Sequence, residues 1–305
     1  MQWAYEHSGN LRNKSDEIYK GPTKPIILSY LDSISDQDYQ VGYWTILKNI
    51  SLAYCLTPFG KILKNNHIKK TLFLDPFCGS GITPLKNPNG TKTSWTLGSP
   101  IISTTMTDYR FKSYIYGDIS KKSISTLTDI FTANNYFKCN VSIQENDANN
   151  MIKSACNNYE NHYVFAYLDQ SGFQLKWDSL KMLLNLTMFD VILNFQTRLV
   201  ERIPDQKKKL YFGSSLDALQ NCSNCDEVLD QYISQIKKRG VYVTKIRIGK
   251  DRSDRYYYHL LHISRKKTYK GIIENLKSRV ESFEGKSMKM IWDDLIGDSI
   301  QQSLF

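Results

Sequence analysis

The chain changes rhythm near residue 70. From Lys24 to Leu63 apolar residues recur at helical spacing (Ile26, Ile27, Tyr30, Leu31, then Trp44, Ile46, Leu47, Ile50, Leu52), which predicts two or three helices. The run TLFLDPF, from Thr71, is instead short and nearly continuously apolar, the pattern of a strand buried on both faces. Alternation follows. SYIYGDIS reads as a strand ending at Asp118, KKSISTLTDIFTANN as a helix and NVSIQEND as a strand ending at Asp147. ANNMIKSACNN reads as a helix, YVFAYLDQSG as a strand ending at Asp169, WDSLKMLLNL as a helix and FDVILNF as a strand. After a lysine-rich stretch, GVYVTKIRIG and YYYHLLHIS flank the turn-rich GKDRSD and predict an antiparallel hairpin.

Two segments read as irregular. Residues 1–20 are polar and predict a loosely ordered lead-in, and KNPNGTKTSWTLGSP, rich in Asn, Gly, Pro, Ser and Thr, predicts a loop. Strand–helix alternation implies an α/β fold, with a mostly parallel sheet covered by helices on both faces and an antiparallel edge. The expected division is a helical extension over 1–63, an α/β domain over 64–290 and a tail over 291–305.

In open α/β sheets ligands bind beyond the carboxyl ends of the strands. Four predicted strands finish there in aspartate: Asp75, Asp118, Asp147 and Asp169. Any one of them alone reads as a helix N-cap or turn former. The turn after Asp75, Cys78-Gly79-Ser80-Gly81, has no lysine for a triphosphate, and Pro84 stands where a dinucleotide loop needs its third glycine. Nor is it a nucleophile elbow, since glycine flanks Ser80 directly on both sides. Two glycines allow close backbone approach, the acid before them suits a cationic or hydroxyl group, and the next strand-end acid suits a ribose. That combination fits S-adenosylmethionine better than a phosphate-bearing cofactor.

The order FLDPFCGSG, GSP, YIYGDIS, AYLDQSGFQLKW, FDVILNF, YYYHLLHISRKKTYKG resembles the three-Cys-motif partner protein family, whose members are class I S-adenosylmethionine-dependent methyltransferase-like proteins. The resemblance runs from about Lys24 onward. It implies a Rossmann-like class I methyltransferase fold with a seven-stranded sheet, S-adenosylmethionine as cofactor, and a three-Cys-motif partner protein. By resemblance Asp75, Phe77, Gly79, Ser80 and Gly81 form the cofactor loop. Asp118 and Ile119 meet the ribose end, Asp147 and Ala148 lie by the adenine, and Asp169 with Gln170 faces the transfer cleft as the catalytic pair. One departure stands out: the family carries D-P-x-G where this chain reads Asp169-Gln170-Ser171-Gly172.

Charge narrows the partners. The formal net charge is +10 over 305 residues, which favours nucleic acid, DNA first, and basic clusters stand at 207–209, 237–239 and 265–267. The terminal Gln301, Leu304 and Phe305 resemble the peptide by which DNA-processing proteins dock on a sliding clamp. Cys222 and Cys225 form a CxxC that lacks two further ligands at metal spacing, because His259 and His262 fall on opposite faces of a strand; no metal is expected. No apolar run is long enough for a bilayer and the N-terminus lacks a signal core, so a cytoplasmic protein without membrane contact is expected. Two functions remain in view: a methyltransferase in DNA modification or repair, and a non-catalytic adaptor on a degenerate fold.

Overall fold

Five parallel strands, β1 (Thr71–Asp75), β4 (Ser113–Asp118), β5 (Val141–Glu145), β6 (Tyr163–Leu168) and β7 (Phe189–Phe195), form the centre of a computed structural model. It describes residues 2–34, 43–86, 92–107, 109–136, 140–213, 222, 224–250 and 256–282. The strands order as β5-β4-β1-β6-β7, and the antiparallel pair β9 (Tyr256–Ser264) and β8 (Tyr242–Lys250) completes the sheet beyond β7. β1, β6 and β7 are buried along their whole length, as their unbroken apolar runs require.

The pleat sorts the core into two layers. Phe73, Tyr114, Tyr116 and Phe165 face α3 (Tyr43–Asn65), α4 (Ser99–Thr105) and α5 (Lys121–Ala133). Leu72, Leu74, Val164 and Val191 face α6 (Ala148–Asn158), α7 (Trp177–Asn185) and α9 (Cys225–Lys237). The helix α10 (Lys270–Glu281) packs on β8 from the α3 side, and the short α8 (Asp205–Phe212) follows β7.

The first correction is the lead-in. Gln2–Lys20 is a helix, α1, and α2 (Lys24–Asp32) follows it. Ala4, Ser8, Leu11, Ser15 and Ile18 form its buried stripe at helical spacing. Two serines on that stripe hid the pattern; Ser15 Oγ donates to the Leu11 carbonyl at 2.9 Å, so the helix itself satisfies it. These helices share one core with the sheet, and the boundary expected at residue 63 falls inside α3.

The second correction is the polar insertion. Ile82–Lys86 (β2) and Lys92–Leu97 (β3) pair antiparallel in a separate two-stranded sheet. Composition alone suggested a loop, yet Asn89-Gly90, a strong short hairpin signal, stands between the two strands. The expected clamp-binding residues Gln301, Leu304 and Phe305 lie outside the described residues.

Candidate functional site at the carboxyl edge

Because β1, β4, β5 and β6 run parallel, their terminal acids arrive at one edge. Asp75 is wholly buried at the end of β1, where its Oδ1 accepts the Phe77 amide at 3.2 Å. Its Oδ2 has no hydrogen-bond partner. Burial pushes its carboxyl up to about 7; the Ser99 hydroxyl and the Phe77 amide pull it back, and Asp169 and Asp118 push it further up.

The turn that follows is tied to the neighbouring strand. The Cys78 amide donates to the Gly117 carbonyl at 2.9 Å, and the Gly79 amide to Asp118 Oδ2 at 3.2 Å. Gly79 and Gly81 take left-handed φ values of 58° and 78°. A Cβ on Gly81 would come within 2.6 Å of Leu127 Cδ1, whereas one on Gly79 would enter open space. Gly81→Ala should therefore cost about 2 kcal/mol or more of stability, and Gly79→Ala about 1 kcal/mol. Equal shifts of the two denaturation midpoints would contradict this difference.

The predicted cofactor residues come together unevenly. Asp118 is half-buried, with Oδ1 accepting the Ser120 amide at 2.8 Å, and Ile119 beside it is 66% exposed. Asp147 caps α6, accepting the Asn149 and Asn150 amides, and Ala148 opens that helix. Phe77 is half-buried against the α7 side of the core. Ser80 turns inward, its hydroxyl donating to the Ile82 carbonyl at 3.0 Å, so its side chain holds the loop.

Asp169 and Gln170 separate. Gln170 is buried; its Oε1 accepts the amides of Gln174 and Leu175, both at 2.9 Å, and its Nε2 donates to the Asn194 carbonyl. Those bonds engage both ends of the side-chain amide, which ties the 170–175 loop to the end of β7. Asp169 is bound by two residues that the sequence reading missed. Lys48 of α3 meets both of its oxygens, at 2.7 and 2.8 Å, and Asn194 Nδ2 donates to Oδ1 at 2.6 Å. The ammonium also lies 5.1 Å from the centre of the Tyr258 ring. A lysine in the apolar helix WTILKNISLAY was the available signal for the first, and the polar end of FDVILNF for the second.

Asn194 Oδ1 and the Tyr167 hydroxyl are likewise buried without a hydrogen-bond partner. Tyr167 is held in its protonated form by burial, with Asp169 and Asp75 adding to the effect. Buried polar groups are almost always satisfied, so unpartnered atoms beside an acid ring mark where a hydrogen-bonding ligand or ordered water fits. Elsewhere the two histidines of β9 have different partners: His259 Nδ1 lies 2.6 Å from Thr197 Oγ1 and His262 Nε2 2.7 Å from Asp190 Oδ1. Cys225 lies against Glu201, and no group of metal-binding side chains occurs among the described residues.

No family model matches the chain, and no curated protein matches it. Solved structures do. Protein LPL1258 from Legionella pneumophila str. Philadelphia 1, of family DUF519, aligns at TM-score 0.52 and 11% identity over 80% of this chain and 94% of its own. Trm1 from Pyrococcus horikoshii, solved with S-adenosyl-L-methionine, aligns at TM-score 0.42 and 11% identity over 76% and 57%. A putative O-methyltransferase from Klebsiella pneumoniae gives 0.42 and 10% over 85% and 99%. At such identities likeness speaks to the fold alone, and the fold is Rossmann-like: a seven-stranded, mostly parallel sheet between helices, with the antiparallel hairpin at its edge.

Proposed function

We propose that this chain binds S-adenosylmethionine at the carboxyl edge and methylates nucleic acid, in DNA modification or repair. One observation carries the reading: a ring of strand-end acids around a left-handed glycine turn, with Asp75 buried and one of its oxygens unpartnered. S-adenosylmethionine would supply an electrophilic methyl group on a sulfonium.

The remaining work falls to the chain. Asp75 would receive a cationic donor, and Asp118 a ribose diol through lone pairs that Gly79 and Ser120 leave free. Exposed Ile119 would cover one face of the adenine, with Asp147 and Ala148 at its rim. Asp169, steadied by Asn194, would orient the acceptor atom, while Gln170 fixes the loop beneath it. The net charge of +10 favours an anionic substrate. A cytoplasmic setting belongs to the same reading, as do a three-Cys-motif partner protein and a sliding clamp met by Gln301, Leu304 and Phe305; the support for these two partners is the sequence resemblance.

Calorimetric titration with S-adenosylmethionine tests this. Asp118→Ala should weaken binding by about ten- to hundredfold, the loss of hydrogen bonds to a charged group, with the fold intact. No heat at millimolar cofactor, with or without a three-Cys-motif partner, rejects the reading.

One observation favours the adaptor alternative: Lys48 occupies both oxygens of the acid that would meet the acceptor. An adaptor would keep its nucleic-acid function in Asp118→Ala, and a methyltransferase would lose it.

A further inference from the structure

The opposite edge of the sheet has the reverse charge. There the chain enters β1 through Lys69 and Lys70, β4 through Lys112 and β8 through Lys238 and Arg239, and it leaves β9 through Lys266 and Lys267. The register places these ends together, with Thr71 opposite Tyr163 and Ser264 between Asp190 and Tyr242. Two of the basic clusters in the sequence, 237–239 and 265–267, thus meet at one edge, while 207–209 lies apart on α8.

Lysines at helix C-termini, such as Lys64 and Lys237, complement the helix dipole and need no ligand. The cations on the loops have no such role. Lys69, Lys70, Lys112 and Lys266 are exposed and form no ion pair among the described residues. Glu160 is the sole acid in the described segments that lead into or out of the strands here. Burial first, and then the charge of Lys70, holds the nearby His162 below its ordinary value.

Two features go beyond charge. Tyr242, at the start of the edge strand β8, is 48% exposed, and the Lys267 ammonium sits 5.2 Å from its ring centre. Ser264, the register partner of Tyr242, lines a cavity of about 250 Å³ whose walls also include Tyr163, Phe189, Asp190, Arg265 and Lys266. Arg265 is fixed there by donating to the Leu184 and Leu186 carbonyls, with its guanidinium over Phe189. Such a volume is below that of a drug-sized pocket and suits a single heteroaromatic ring. Cations spaced along an edge, an exposed aromatic face and a ring-sized polar cavity are the requirements for a single strand with splayed bases. A membrane surface would need an apolar face, and Tyr242 is the one large exposed apolar side chain at this edge among the described residues.

We infer that the amino edge of the sheet is a second nucleic-acid surface, on which single-stranded DNA or RNA lays its phosphates along the loop lysines and a base against Tyr242. It stands one strand length, about 17–20 Å, from the acid ring. The inference rests on the nucleic-acid part of the proposed function and is independent of the cofactor.

Fluorescence anisotropy of the full chain with labelled single-stranded DNA and RNA of about 20 nucleotides tests it. The variant Lys69→Glu, Lys70→Glu, Lys266→Glu, Lys267→Glu should bind about tenfold more weakly or worse, with a shallower salt dependence. Tyr242→Ala should lose about tenfold at constant salt slope. Lys207→Glu with Lys209→Glu, on α8, should change little. An unaltered thermal midpoint and circular dichroism spectrum in every variant show that the fold is intact. Wild-type affinity in the quadruple variant, an equal loss from the α8 pair, or binding of anionic vesicles or polyglutamate in place of either oligonucleotide would overturn the inference. Cofactor binding lost while these oligonucleotide results stand would instead count against the proposed function alone.

Discussion

At pH 8 Asp75→Asn is expected to raise the thermal midpoint of the protein while removing its affinity for S-adenosylmethionine. The folded carboxyl is pushed up to about 7 from an ordinary 3.8, chiefly by burial, so the folded state holds the proton more tightly than the unfolded chain. Its stabilising contribution is complete below pH 3.8 and lost as pH climbs to about 7. Above that, the fold carries a buried carboxylate with an unpartnered oxygen, at a cost of a few kcal/mol. Asparagine is neutral at every pH, so its advantage should grow between pH 4 and 7 to about 5 °C or more. His259 acts in the opposite sense over that window. Burial, helped by Lys245 and Arg247, lowers it to about 4, so its contribution is lost as pH falls from 6.5. The difference between wild type and variant therefore carries the result.

For the ligand the sign reverses. A cation needs Asp75 ionised, so wild-type affinity should rise as pH approaches 7, by up to about tenfold per unit, and then level off. Asp75→Asn should bind at least about a hundredfold more weakly and without that pH dependence. A variant that is no more stable at pH 8, or that binds as wild type does, would show that Asp75 serves the fold and not a ligand.

What the sequence made legible follows from how each feature is encoded. Strands buried on both faces write themselves as apolar runs, and in a parallel sheet their terminal acids must share an edge, so Asp75, Asp118, Asp147 and Asp169 could be placed together in advance. Helix α1 was hidden because serines occupy part of its buried stripe, which a hydrophobicity pattern counts as exposed. The bonding of Gln170 was hidden for a related reason: adjacency to Asp169 in sequence says nothing of where its amide turns, and it turns to backbone. Ser80 is the same case within the glycine turn. Lys48 lies 121 residues from Asp169, and no local pattern reports a contact made only when α3 packs over the sheet. The basic edge was half-visible, as clusters whose union only the topology supplies.

Lys48→Met is expected to be the most damaging single change away from the glycine turn. Its side chain is 10% exposed and that of Asp169 20%, so removing the ammonium strands a largely buried carboxylate with Asn194 as its remaining partner. Breaking a fully buried pair costs about 3–5 kcal/mol; with the residual exposure of Asp169, about 2–3 kcal/mol and a midpoint about 5 °C lower are expected. The double variant Lys48→Met, Asp169→Asn should recover most of that loss, because it removes the stranded charge and the pair together. If the double variant is as unstable as the single one, the damage lies in the packing of α3 and the ion pair is incidental. The pair also divides the two functions. In a methyltransferase Asp169 must be released toward the acceptor, so Asp169→Asn should lower turnover while calorimetry still registers the cofactor. In an adaptor the pair is a permanent strut, and Asp169→Asn should alter stability alone. A stable, cofactor-binding Asp169→Asn protein with undiminished methyl transfer would remove Asp169 from the acceptor side.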